Sequence, residues 1–136
     1  MYETLSEFID YRQIYTDGSK NALSTSVAFY DLSNRFGHGY KISTLASIYT
    51  AEAKAIFLAL EYIEKQVLHS KWIIITDSMS VLMALKNNTF ISSSNYLIQE
   101  IRNKYYHLCT IYGKDIIFIW TPSHIGVFGN EQVDFG

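Results

Sequence analysis

The chain has 136 residues, 49% of them hydrophobic and 18% charged, with a formal net charge of −2. That length suits one domain with a proper buried core, and the composition excludes a disordered tail. The slight acidity excludes nucleic-acid binding through bulk positive charge, so a polyanion would have to be met by metal ions or a local patch. Eleven tyrosines and eight phenylalanines supply buried area and stacking surfaces. The single Cys109 excludes an internal disulfide and a multi-cysteine zinc site. Its place in a helical apolar pattern with Tyr105, Leu108 and Tyr112 predicts a buried, inert thiol. No stretch approaches the roughly 18 consecutive apolar residues of a membrane span. Met1–Asp10 lacks the basic region and apolar core of a signal peptide. An intracellular location, cytoplasmic or nuclear, with no membrane partner, is the expectation.

In chain order, residues 1–10 mix acids and apolar residues without a period and read as a leader or linker. A first strand is predicted over Tyr11–Thr16, followed by Asp17-Gly18-Ser19. Asp-Gly is a common turn dipeptide, and a glycine there would let the chain turn sharply and hold the Asp17 carboxylate out at the strand end. Ser24–Tyr30 is rich in β-formers, Asp31–Asn34 reads as a turn, and Arg35–Ser43 alternates well enough for a third strand. Three strands on short turns suggest an antiparallel meander. The period then changes. Thr50–Gln66 contains no Gly or Pro and carries two apolar stripes, Ala55, Leu58, Ala59, Tyr62, Val67 and Ile56, Leu60, Ile63, which predicts a heavily buried helix opening near Glu52. Trp72–Thr76 is a short apolar run suited to a strand covered on both faces, and Asp77 ends it. A short helix over Met79–Leu85, a polar loop to Ser94, a long helix over Asn95–Tyr112 stopped by Gly113, and a strand over Ile116–Trp120 complete the pattern. A loop with Gly126 and Gly129 follows Pro122. Strands joined first by turns and then by helices predict an α/β fold: a five-stranded mixed sheet with helices on both faces.

Sites in open α/β sheets form beyond the carboxyl ends of parallel strands. If the first and fourth strands are parallel neighbours, Asp17 and Asp77 approach each other, and Glu52 in the first turn of the buried helix can reach the same rim. Asp134 arrives from the final loop, which also contains His124. Gathered without a basic partner, four carboxylates would repel strongly unless a cation joined them, and hard oxygen ligands suit Mg²⁺ or Mn²⁺. Each acid also has a plainer reading: Asp77 as a helix N-cap, Glu52 as a partner of the helix dipole, Asp134 as a solvated surface charge.

Tyr15-Thr16-Asp17-Gly18-Ser19, Thr50-Ala51-Glu52-Ala53-Lys54-Ala55-Ile56, Ile73-Ile74-Ile75-Thr76-Asp77-Ser78 and the long closing motif from Trp120 to Asp134 resemble type 1 ribonuclease H. The match runs in order from about Arg12 to Asp134. Its closing motif most resembles ribonuclease H domains of retroelement polyproteins, particularly those of non-LTR retrotransposons. The resemblance implies a ribonuclease H-like fold over residues 11–136 and an acid tetrad, Asp17, Glu52, Asp77 and Asp134, holding two Mg²⁺ ions with Mn²⁺ as a substitute. It implies hydrolysis of the RNA strand of an RNA–DNA hybrid to a 5′-phosphate and a 3′-hydroxyl, with a reverse transcriptase domain of the same polyprotein as a partner. His124 matches the family histidine that assists proton transfer or product release. Ser19 and the Tyr49-Thr50 turn match positions that touch the hybrid, where recognition of the 2′-hydroxyl would select RNA. The family continues past the final Asp with a helix, whereas this sequence ends two residues beyond Asp134. The alternative expectation is therefore a degenerate, non-catalytic domain that binds hybrid or braces a reverse transcriptase.

Overall fold

The computed structural model describes residues 10–87 and 96–122. Along the chain lie β1 (Arg12–Lys20), β2 (Thr25–Asp31), β3 (Phe36–Ile42), α1 (Ile48–Glu64), β4 (Lys71–Thr76), α2 (Met79–Lys86), α3 (Tyr96–Thr110) and β5 (Asp115–Trp120). The strands form a single sheet in the order β3-β2-β1-β4-β5. β1 pairs antiparallel with β2 and β2 with β3, while β4 runs parallel to both β1 and β5. The expected mixed sheet is therefore present, with β1 joining its two halves.

Alternation decides which face meets the helices. Along β2 the burial alternates strictly, with Thr25, Val27, Phe29 and Asp31 inward. The register carries that face through Ile14 of β1 and Ile74 of β4, and through Trp72 to Ile116 of β5. Ile14, Phe29, Trp72, Ile74 and Ile116 pack there against Ala53, Ile56, Leu60 and Ile63 of α1, Val81 of α2, and Ile98, Ile101 and Leu108 of α3. The three helices touch one another as well as the sheet, so among the described residues the helical layer lies on this face. β4 sits between two partners and is buried from Trp72 to Thr76 on both faces, as its unbroken apolar run predicts.

Ser47 starts α1: its Oγ accepts from the backbone N–H of Thr50 at 3.0 Å, satisfying one of the donors that a helix start leaves unpaired. Ala51, Ala55 and Ala59 present small side chains inward, which lets the helix axis lie close to the strands. α1 ends at Glu64, so Val67 falls outside it and is exposed rather than part of its inward stripe. Gly113 adopts φ +67° just past α3, where its missing Cβ removes the usual cost of left-handed backbone. Cys109 is half-buried rather than enclosed. Lys104 of α3 pairs with Glu64 of α1 at 2.7 Å. None of the described helices is long and apolar enough to cross a membrane.

Candidate metal centre

β1 does not break at Gly18. It runs on to Lys20, and Asp17, Gly18 and Ser19 stay in register with Ala28, Val27 and Ser26 of β2. The turn reading of Asp17-Gly18 is thus overturned, because the cross-strand ladder continues through it. The glycine serves a different need. Gly18 is buried on the helix side of β1, and a Cβ there would lie 2.4 Å from the backbone nitrogen of Glu52 and 2.5 Å from the carbonyl carbon of Ala51. Only a residue without a side chain lets α1 approach the strand this closely. That approach allows Gly18 N–H to donate to Glu52 Oε1 at 3.1 Å.

Glu52 itself stands one turn deeper than expected. With α1 starting at Ile48, the first turn holds no acid, so the helix-dipole reading of Glu52 loses its basis. The side chain is only 9% exposed. Thr50, likewise, lies within the helix rather than in a turn, and its hydroxyl accepts from Ser47 Oγ at 3.1 Å.

Asp77 follows the last residue of β4, and the backbone around it is tied down. Thr121 N–H donates to Thr76 O at 3.0 Å, and Ser78 N–H donates to Thr76 Oγ1 at 3.1 Å. The N-cap of α2 is Ser78, whose Oγ accepts from Val81 N–H at 3.4 Å. The capping reading of Asp77 is corrected accordingly: a hydroxyl one residue later takes that role, and the carboxylate is left for the site.

The three acids converge. One carboxylate oxygen from each of Asp17, Glu52 and Asp77 lies within 4.8 Å of the others, although 35 and 25 positions separate successive members along the chain. Burial pushes the Glu52 carboxyl up to about 8, helped by the negative charges of Asp77 and Asp17 and by a hydrogen bond with Asp77, while the bond from Gly18 N–H opposes the rise. A proton therefore does at neutral pH what a cation would do better: it relieves the repulsion between clustered carboxylates. Three hard oxygen donors, no nitrogen or sulfur among them, fit a small divalent ion such as Mg²⁺ or Mn²⁺.

A family model described as RNase H matches residues 10–135. The chain belongs to the RNase H family. No curated protein matches it in sequence. RNase H membership supports a hydrolase acting on nucleic acid, and the cluster of Asp17, Glu52 and Asp77 fits its catalytic site. His124 and Asp134 lie outside the described residues. Ser19 is exposed at the end of β1, two residues past Asp17 on the same face of the strand. Sequence reasoning missed the packing role of Gly18. The signal was there: a glycine beside an acid in a β-rich run, with the Ala-Glu-Ala of a buried helix to receive it.

Proposed function

We propose that this RNase H domain is an endonuclease that hydrolyses the RNA strand of RNA–DNA hybrids, within a retroelement polyprotein that also carries a reverse transcriptase. The convergence of Asp17, Glu52 and Asp77 from β1, α1 and the end of β4 carries the reading. The retroelement setting rests on the wording of the motif from Trp120 to Asp134.

Asp17, Glu52 and Asp77 would hold divalent ions, with Asp134 as the fourth ligand of a two-ion site. Bound Mg²⁺, or Mn²⁺ in its place, supplies positive charge against the phosphate oxygens and polarises the attacking water. The protein's part is to present the carboxylates already gathered. Gly18 N–H fixes one oxygen of Glu52, and the tied backbone on either side of Asp77 fixes the third ligand. Preorganisation of this kind places charge where it is needed without rearrangement during the reaction. The Glu52 proton must leave as a cation enters, so ion binding should tighten as pH rises towards the Glu52 value of about 8. Ser19 offers an exposed hydroxyl to a ribose 2′-OH. Thr50, whose oxygen already accepts from Ser47, keeps its own proton to donate. His124 would move the proton to the leaving 3′-oxygen or speed product release.

A labelled RNA–DNA hybrid incubated with and without Mg²⁺ tests the reading against Asp77→Asn. The expected outcome is metal-dependent cutting of the RNA strand alone, with 5′-phosphate ends, and no cutting by the variant. Equal cleavage by Asp77→Asn would sink it. A domain that binds hybrid but cuts nothing with Mg²⁺ or Mn²⁺ would be the non-catalytic brace instead.

A further inference from the structure

Trp120 closes β5 at the rim where the acids meet. It stands in register with Thr76, and its indole Nε1–H donates to the backbone carbonyl of Asp77 at 3.3 Å. Trp120 is 42% exposed, so a large aromatic side chain sits at the surface with its one side-chain donor committed to this carbonyl. The neighbouring bonds complete a clamp. Thr121 N–H holds the carbonyl before Asp77, Trp120 holds the carbonyl of Asp77 itself, and Thr76 Oγ1 holds the N–H after it. Both peptide planes flanking the Asp77 Cα are thereby fixed, and with them the direction of its Cα–Cβ bond, from which the carboxylate is carried.

We infer that Trp120 is a positioning residue for the metal centre, acting through the Asp77 carbonyl to aim the Asp77 carboxylate at the ion shared with Asp17 and Glu52. The inference rests on the metal-site reading above but not on the identity of the substrate. It also assigns the protein a built-in reporter. The chain has two tryptophans, and Trp72 is wholly enclosed in the core, so Trp120 is the one whose emission can follow events at the rim.

The test compares wild type with Trp120→Phe, which keeps an aromatic ring and removes the donor, and with Trp120→His, which restores a ring N–H. Mg²⁺ or Mn²⁺ affinity is read by calorimetry on the hybrid-free protein. Loss of one hydrogen bond to the ligand's backbone should weaken the ion by about fivefold in Trp120→Phe, with partial recovery in Trp120→His. Under hybrid cleavage, Trp120→Phe should need more Mg²⁺ to reach the same kcat while KM for hybrid stays unchanged. In wild type the ion should alter the emission and quencher accessibility of the exposed tryptophan, and Trp120→Phe should lose that response. Equal ion affinity in wild type and Trp120→Phe overturns the positioning role and leaves the metal site standing. A wild type that binds no divalent ion overturns both. If Trp120→Phe fails to fold, the wild-type emission titration decides: no change on ion binding overturns the inference.

Discussion

Two acids are buried in the same sheet–helix sandwich, and they live in opposite electrostatic conditions. Asp31, with none of its surface exposed, is saturated by donors: Ser33 N–H at 3.0 Å, Asn34 N–H at 3.3 Å, Asn34 Nδ2 at 3.1 Å and Tyr62 O–H at 2.6 Å. It closes the β2–β3 turn and ties that turn to α1, with Arg12 reaching Asn34 at 2.7 Å from the next strand. Glu52 receives one backbone donor and faces two other carboxylates, and its carboxyl is pushed up to about 8. A buried acid surrounded by donors is part of the scaffold, whereas a buried acid surrounded by acids has the chemistry of a cation site. Burial alone does not separate the two roles; the identity of the neighbours does.

That contrast can be broken or sharpened by measurement. Asp31→Ala should cost roughly 3 kcal/mol in urea or thermal unfolding, because Tyr62 O–H and two backbone N–H groups lose their shared acceptor. A loss below about 1 kcal/mol would show that water replaces the carboxylate. The acidic cluster should behave in the reverse sense. Mg²⁺ or Mn²⁺ at about a hundredfold over its Kd should stabilise the fold by about 2.7 kcal/mol, with a larger gain at pH 8 than at pH 6, since the ion displaces the Glu52 proton. Asp31→Ala should keep this ion response, and Asp77→Asn should lose it.

Gly18→Ala comes next, at about 1–3 kcal/mol of stability, because the new Cβ would press on the α1 backbone at 2.4 Å. It should also weaken ion binding by moving Glu52 away from Asp17. Weaker folding with unchanged ion affinity would separate the packing role from the site. The last measurement is the pH slope of the ion-free protein. Glu52 holds its proton more tightly folded than unfolded, so its contribution to stability is complete below its ordinary value of 4.5. It falls as pH rises, by about 1.4 kcal/mol per unit, until the carboxyl ionises near 8. Glu52→Gln should flatten that slope, and at pH 8 without divalent ions it should be more stable than wild type. Matching slopes in the two proteins would remove the evidence for repulsion in the cluster.

The amino-acid sequence by itself determined the elements and much of their arrangement. The alternation in β2, the unbroken apolar run of β4 and the alanine-rich period of α1 report burial directly, because each periodicity is the geometry of its own backbone. The candidate acids were also legible, since Asp17, Glu52 and Asp77 sit in recognisable motifs. Local pattern failed where the deciding contact is remote along the chain. Asp17-Gly18 has the composition of a turn, yet the pairing with β2 carries the strand through it, and the reason for the glycine lies on a helix 34 positions away. Asp77 has the composition of an N-cap, yet Ser78 takes that role. The tertiary structure alone decided that Glu52 faces two carboxylates while Asp31 faces donors, because a carboxylate's surroundings are set by the groups that folding brings to it from distant parts of the chain.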